Sequence, residues 1–233
     1  MTNNVCTIVS YNNYEIKVLA FLINQGKSYV TFDEHVDKVD VTKLTSDFDK
    51  DALSAKINNA IERAMKVTKQ ANKEVYLVFD AKEFFYETKS LTFDFKEERE
   101  VSTIDMKNVY TNALGSVGPK EGFTPVNFDL NSFEINGGRH VPSPLGMSVN
   151  KLVAQGEMVY ADYTTTNTIR SIVSHYDINI LDTYVGGYLL NTESAIMEGQ
   201  GIMEVSTERI NFAVNTGDDL KQFSIDFGFR KIL

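Results

Sequence analysis

One cysteine stands in 233 residues, Cys6. No disulfide can close within the chain, and a reducing interior fits. Cys6 lies in the apolar run Val5 to Val9, where a thiol is a small buried hydrophobe rather than a nucleophile. No run of about 18 apolar residues occurs, so no membrane-spanning helix is expected. The N-terminus lacks the basic region and long apolar stretch of a signal peptide. Together these absences lead to the expectation of a cytoplasmic protein. Cations are the minority, 23 Lys and Arg against 32 Asp and Glu, for a net charge of −9. An acidic chain without a basic stripe repels phosphate backbones, so nucleic acid is not expected as a partner. The densest charge run, Lys96 to Glu100, mixes both signs and reads as a solvated strand end or loop.

Signatures of chemistry are missing as well. There is no Gly-x-Ser-x-Gly elbow to hold a nucleophilic serine. The three histidines, His35, His140 and His175, are far apart and share no metal-ligand spacing, so no metal is expected. Gly199-x-Gly201 lacks a third glycine and precedes a strand, so it reads as a helix stop rather than a dinucleotide loop. Asp80, Asp94 and Asp162 read as strand-end or loop residues, not as a pair of general acids. Fifteen Phe and eleven Tyr read as core and sheet packing rather than as base-stacking platforms. The expectation is a chain that is not an enzyme and takes no cofactor.

What is present is a mixed α/β pattern with 42% hydrophobic residues, enough for a substantial core. Val5 to Ser10, Ile16 to Leu22 and Tyr29 to Phe32 read as strands joined by the turns Asn12-Asn13 and Gln25-Gly26, an antiparallel meander. Over 49–72, Leu53, Ile57, Ala60, Ile61, Ala64, Met65 and Thr68 recur at spacings of three and four, which predicts a helix. Asp47 or Asp49 suits its start and Asn72 its end. Val75 to Phe79 is a buried strand, reached by a right-handed crossover. The pattern then turns β-rich. Phe84 to Phe95 is strand-like, a short helix covers about Thr103 to Leu114, and a loop carries Gly115, Gly118, Pro119 and Gly122. Val126 to Ile135 alternates, Asn136-Gly137-Gly138 is a hairpin turn, and Lys151 to Asp162 resumes strand character. Helix and strand alternate again from 164, where Thr164, Thr165 or Thr166 is placed to cap a helix. Ile178 to Asp182 reads as a strand and Val185 to Met197 as a helix. Gly201 to Val205, Ile210 to Asn215 and Gln222 to Phe227 close the chain as strands.

This order is similar to the first half of FtsA, the bacterial cell-division family of the actin-like superfamily. The helix and strand Asp51 to Phe79, with Val75-Tyr76-Leu77-Val78, resemble the segment that enters the family's inserted subdomain. Pro144-Leu145-Gly146-Met147-Ser148-Val149-Asn150-Lys151-Leu152 resembles the family's Pro-x-Gly-Met-x-x-x-x-Leu near the end of that insertion. Thr164 to Leu190 resembles the helix, strand and helix that follow. The resemblance implies an actin-like, ribonuclease H-like domain from 1–81 and 163–198, a β-rich insertion over 82–162, and the start of a second actin-like domain at 199–233.

It also shows departures. Actin-like ATPases hold phosphates on two hairpins that need glycines for close backbone approach and acids for the metal. Where the first has Asp-x-Gly-Thr, this chain reads Ser10-Tyr11-Asn12-Asn13-Tyr14-Glu15. Where the second has Asp-x-Gly-Gly-Gly-Thr, it reads Glu204-Val205-Ser206-Thr207-Glu208-Arg209. The implied ATP site is degenerate. The family's later segments, which contact adenosine and bind the FtsZ tail, and its C-terminal membrane helix are expected to be missing here. Phe227 to Leu233 is too short for such a helix, so no direct membrane anchor is expected.

The function implied is that of a non-catalytic scaffold or adaptor in the divisome, located at the division site. Its partners would be division proteins or a second copy. Arg139 and His140, beside the hairpin turn, and Phe223, Ile225 and Phe227, on a terminal strand edge, are the expected partner contacts. Two other readings stand beside it: an ATP-binding actin-like filament protein and a pilus-assembly relative of FtsA.

Overall fold

A computed structural model describes residues 4–12, 15–24, 27–41, 44, 48–81, 83–193, 201–205, 210–215 and 220–225. From residue 190 onward it describes the backbone alone. Along the chain lie β1 (Asn4–Asn12), β2 (Glu15–Asn24), β3 (Lys27–Lys38), α1 (Lys50–Thr68), β4 (Glu74–Phe79), β5 (Phe84–Glu100) and α2 (Thr103–Ser116). There follow β6 (Phe123–Ile135), β7 (Arg139–Val141), β8 (Ser148–Asp162), α3 (Tyr163–Val173), β9 (Asn179–Val185) and α4 (Gly186–Glu193). The last three strands are β10 (Gly201–Val205), β11 (Ile210–Asn215) and β12 (Leu220–Ile225). The chain divides into two compact units, Met1–Lys82 with Thr164–Leu233, and Glu83–Tyr163.

The first unit is built on a five-stranded sheet of order β3-β2-β1-β4-β9. β1, β2 and β3 form the antiparallel meander, while β4 runs parallel to β1 and β9 parallel to β4. An antiparallel meander extended past its first strand by parallel strands is the ribonuclease H-like arrangement of actin-like domains, and the fold is mixed α/β. Alternation decides which side faces inward: Val9, Ile16, Val18, Ala20, Val75 and Leu77 are fully buried. So is the apolar stripe of α1, Leu53, Ile57, Ala60, Ile61 and Ala64. Asp49 caps this helix by accepting from the Ala52 amide at 2.9 Å. The helix ends earlier than Asn72: Lys69 takes the left-handed conformation, φ 58°, and closes the last turn.

The threonines at 164–166 do not cap α3. Its first residue is Tyr163, so they lie in its first turn, and Thr165 and Thr166 are buried. Val185, expected in the next helix, is the last residue of β9 instead. β10, β11 and β12 form a separate antiparallel sheet with β11 in the middle.

The second unit is a four-stranded antiparallel sheet, β5-β8-β6-β7. Val109 and Ala113 of α2 belong to its core. Val109 clusters with Phe133, Ile135, Leu152 and Ala154, and Ala113 with Phe128, Met158 and Tyr160. Ser102 and Asp105 form a capping box at the start of α2. Arg99 reinforces it, donating two hydrogen bonds to the Asp105 carboxylate at 2.9 and 2.5 Å. β6 carries an extra residue against β8 at Val126 and another at Asn131. Gly156 of β8 lies opposite Leu130, beside the second of these bulges.

Candidate functional site

The β1–β2 hairpin lies at the C-terminal ends of β1 and β4, where the resemblance to FtsA implies a first phosphate hairpin. Asn12 pairs with Glu15 across the turn. Glu15 already has partners: its carboxylate lies 3.1 Å from His35 Nε2 and 3.7 Å from Lys17 Nζ. Asp80 follows β4, and its amide donates to the Tyr11 carbonyl at 2.9 Å, tying β4 to the hairpin. A Cβ built on Gly186 would lie 2.9 Å from Asp80 Oδ1. The glycine therefore lets a carboxylate approach the first turn of α4, where unpaired amides favour negative charge. The sequence singled out Asp80 only as a strand-end residue, and its closeness to Gly186 depends on tertiary structure. In the second hairpin region Glu204 is on β10. Residues 206–209 lie outside those described.

The predicted contact residues fall in two places. Arg139 and His140 open β7 and are exposed, with Ile135 opposite Arg139 and Glu134 opposite His140. The turn before them needs left-handed backbone at Asn136, φ 51°, and Gly137, φ 77°, which Asn and Gly tolerate best. The Asn136 side chain fixes the turn to β8, accepting from the Asn150 amide at 2.9 Å. A cavity of about 460 Å³ lies here, lined by Ile135, Asn136, Gly137, Gly138, Arg139, Met147 and Ser148. Met147 and Ser148 are contributions that spacing alone did not disclose. Phe223 and Ile225 lie on β12, opposite Phe212 and Ile210 of β11. β12 is an edge strand of its sheet. Phe227 lies outside the described residues.

Among the described residues there is no cluster of three metal-ligating side chains. No described helix is long and apolar enough to cross a membrane. The Cys6 thiol is half-buried, and that burial pushes its pKa up.

No protein-family model matches the chain, and no curated protein matches it. Solved structures do. One is a protein of actin-like ATPase fold and unknown function from Bacteroides thetaiotaomicron VPI-5482, at 12% identity and TM-score 0.38, covering 95% of this chain and 70% of the other. A PilM–PilN type IV pilus biogenesis complex matches at 10% identity and TM-score 0.45, covering 98% of this chain and 63% of the other. An exopolyphosphatase from Cytophaga hutchinsonii ATCC 33406 matches at 9% identity and TM-score 0.40, covering 98% of this chain and 52% of the other. The chain thus spans about half to 70% of the length of these proteins. The actin-like assignment rests on the strand order and connections given above. The expectation that the chain is not an enzyme is corrected by the third likeness: chains matched by this backbone include an enzyme, an exopolyphosphatase.

Proposed function

We propose that this chain is an FtsA-type adaptor of bacterial cell division that works by holding a protein partner. In this reading 1–81 and 163–198 form the actin-like domain, 82–162 the inserted subdomain, and 199–233 the start of a second actin-like domain. The compact unit Glu83–Tyr163, entered after β4 and left at α3, supports that layout.

The observation that carries the reading is the β6–β7 turn. It presents exposed Arg139 and His140 beside a cavity with an apolar wall of Ile135 and Met147. An Arg beside an apolar recess is the combination from which interface anchors are made. The edge strand β12, with Phe223 and Ile225, offers a second contact by strand addition. Phe227 continues that expected contact. The reading places the protein at the division site without binding the FtsZ tail in the manner of FtsA.

The test is affinity capture with the intact tagged chain, followed by mass spectrometry, with Arg139→Ala/His140→Ala in parallel. Recovery of a division protein that the double variant loses by about tenfold supports the proposal. Recovery of pilus-assembly proteins would replace it with the pilus reading. Capture indifferent to the double variant would remove the turn from the interface.

A further inference from the structure

The outer edge of the five-stranded sheet opposite β9 is formed by β3. Protein edge strands are normally blunted by charge, proline or cover, because an open row of backbone groups pairs with another strand. The first half of β3 is not blunted in this way. From Ser28 to Phe32 it reads Ser-Tyr-Val-Thr-Phe, uncharged and made largely of strong strand formers. Tyr29 is 53% exposed and Val30 59%. Their β2 partners are Leu22 and Phe21, so the two side chains stand on opposite faces. Both faces of this edge are therefore apolar and open to solvent.

Helix α1 extends the apolar surface on one face. Arg63 pairs with Glu34, and Lys56 pairs with Asp37 at 2.6 Å. The helix therefore runs antiparallel to β3, and its stretch beyond Arg63 heads toward the Tyr29 half of the strand. Val67, one turn beyond Arg63, is 56% exposed. The same ion pairs offset Glu34 and Asp37, two of the three acids in the charged half of β3, which lowers its repulsion of a second acidic chain.

We propose that this edge pairs antiparallel with the same edge of a second copy of the chain, about a two-fold axis through Val30. The register follows from the faces. Thr31 is the extra residue of a bulge, lying between Val30, opposite Phe21, and Phe32, opposite Ala20; its hydroxyl donates to the Ala20 carbonyl at 3.1 Å. With Thr31 set aside, Lys27, Tyr29, Phe32 and Glu34 share one face, while Ser28, Val30 and Asp33 share the other. A two-fold axis at Val30 sets Val30 across from the partner's Val30. It sets Tyr29 across from the partner's Phe32, and Lys27 across from the partner's Glu34. Each cross-pair occurs twice, once on each side of the axis. Aromatic pairs and opposite charges are the favourable cross-strand combinations, and no like charges face each other from Lys27 to Glu34. The occupant that matches this edge in charge and in apolar pattern is the edge itself.

The test uses the full chain in sedimentation equilibrium and light scattering. The native chain is expected to form a dimer at micromolar concentration. Val30→Lys places two like charges on the axis and should weaken the dimer at least about tenfold. Val30 is exposed, so its replacement leaves the core intact. Lys27→Glu and Glu34→Lys should each weaken association, and the double variant should recover it. In a Cys6→Ser background, Val30→Cys should oxidise to a linked dimer, while Ser90→Cys on β5 should not. A chain that stays monomeric at about 100 μM, or a Val30→Lys variant that associates as the native chain does, overturns the proposal. The second outcome would assign self-association to another edge, such as β12.

Discussion

Replacing Gly156 with alanine tests how rigidly the second unit's sheet is built. Gly156 is buried in β8, between β5 and β6. A methyl group there would lie 2.1 Å from the Asp129 carbonyl oxygen, 2.9 Å from its carbon and 3.1 Å from Leu130 Cα. The first contact is more than about 1 Å inside ordinary van der Waals separation. All three atoms are backbone, so no side chain can turn aside to relieve it. Either β6 gives up its bulge at Asn131 or β8 shifts against both of its neighbours. Overpacking of a core typically costs about 1–3 kcal/mol and occasionally more. With the strain on the strand shared by two ladders, Gly156→Ala should cost at least about 3 kcal/mol. Urea denaturation of the intact chain reads this as a lower midpoint at unchanged slope. Gly115→Ala is the control: it lies in α2, where a methyl meets nothing within 4 Å. It should add about 0.5–1 kcal/mol through helix propensity. A loss below about 1 kcal/mol at Gly156 would refute the reasoning, since β6 would then yield freely.

Three further outcomes are expected. The Arg99 guanidinium and the Ser102 hydroxyl and amide hold the Asp105 carboxyl well below the usual carboxylate range. Its depressed pKa means its contribution is full above the ordinary value of about 4 and is lost as pH falls through the folded value. Asp105→Asn should therefore be most destabilising at neutral pH, and its penalty should shrink steadily as pH falls below about 4 in thermal melts. Titration calorimetry with ATP and Mg²⁺ should show no binding, because Asn12 stands where the resemblance to FtsA implies the glycine of the first phosphate hairpin. A Kd tighter than about 100 μM, roughly −5.5 kcal/mol, would contradict this. Limited proteolysis should cut first near Lys82, near Tyr163 or within 115–122; a first cut inside α1 would count against the proposed layout.

The five-stranded sheet was legible because its signals are local. Alternation in β1 and β2 and the stripe Leu53, Ile57, Ala60, Ile61 and Ala64 each name a buried side without reference to distant residues. Errors came where tertiary structure overrides a local preference. Three threonines in a row read as caps, yet β8 passes into α3 at Tyr163 and draws Thr165 and Thr166 into the interior. Lys69 ends α1 in a conformation that sequence reasoning reserves for Gly or Asn. Of the candidate contacts, Asn136-Gly137-Gly138 announced its turn, which put Arg139 and His140 beside it. The wall supplied by Met147 and Ser148 comes from the distant start of β8 and leaves no spacing to read. The approach of Gly186 to Asp80 was hidden for the same reason, since more than a hundred residues separate them.

The first and last strands of the Glu83–Tyr163 unit are paired with each other. Phe84 sits opposite Ala161, and the Asp162 amide donates to the Glu83 carbonyl at 3.0 Å. Folding of that unit therefore brings together the two points where the rest of the chain enters and leaves it. For the surrounding polypeptide, a folded excursion behaves as a short rigid staple. Unfolded, the same stretch would be a long loop whose closure costs about 4 kcal/mol of chain entropy for roughly eighty residues. The staple thus relieves β4 and α3 of a closure penalty. Sequence changes anywhere inside it that preserve the β5–β8 clamp leave that benefit intact, which gives the excursion wide freedom to diverge while the surrounding fold stays stable.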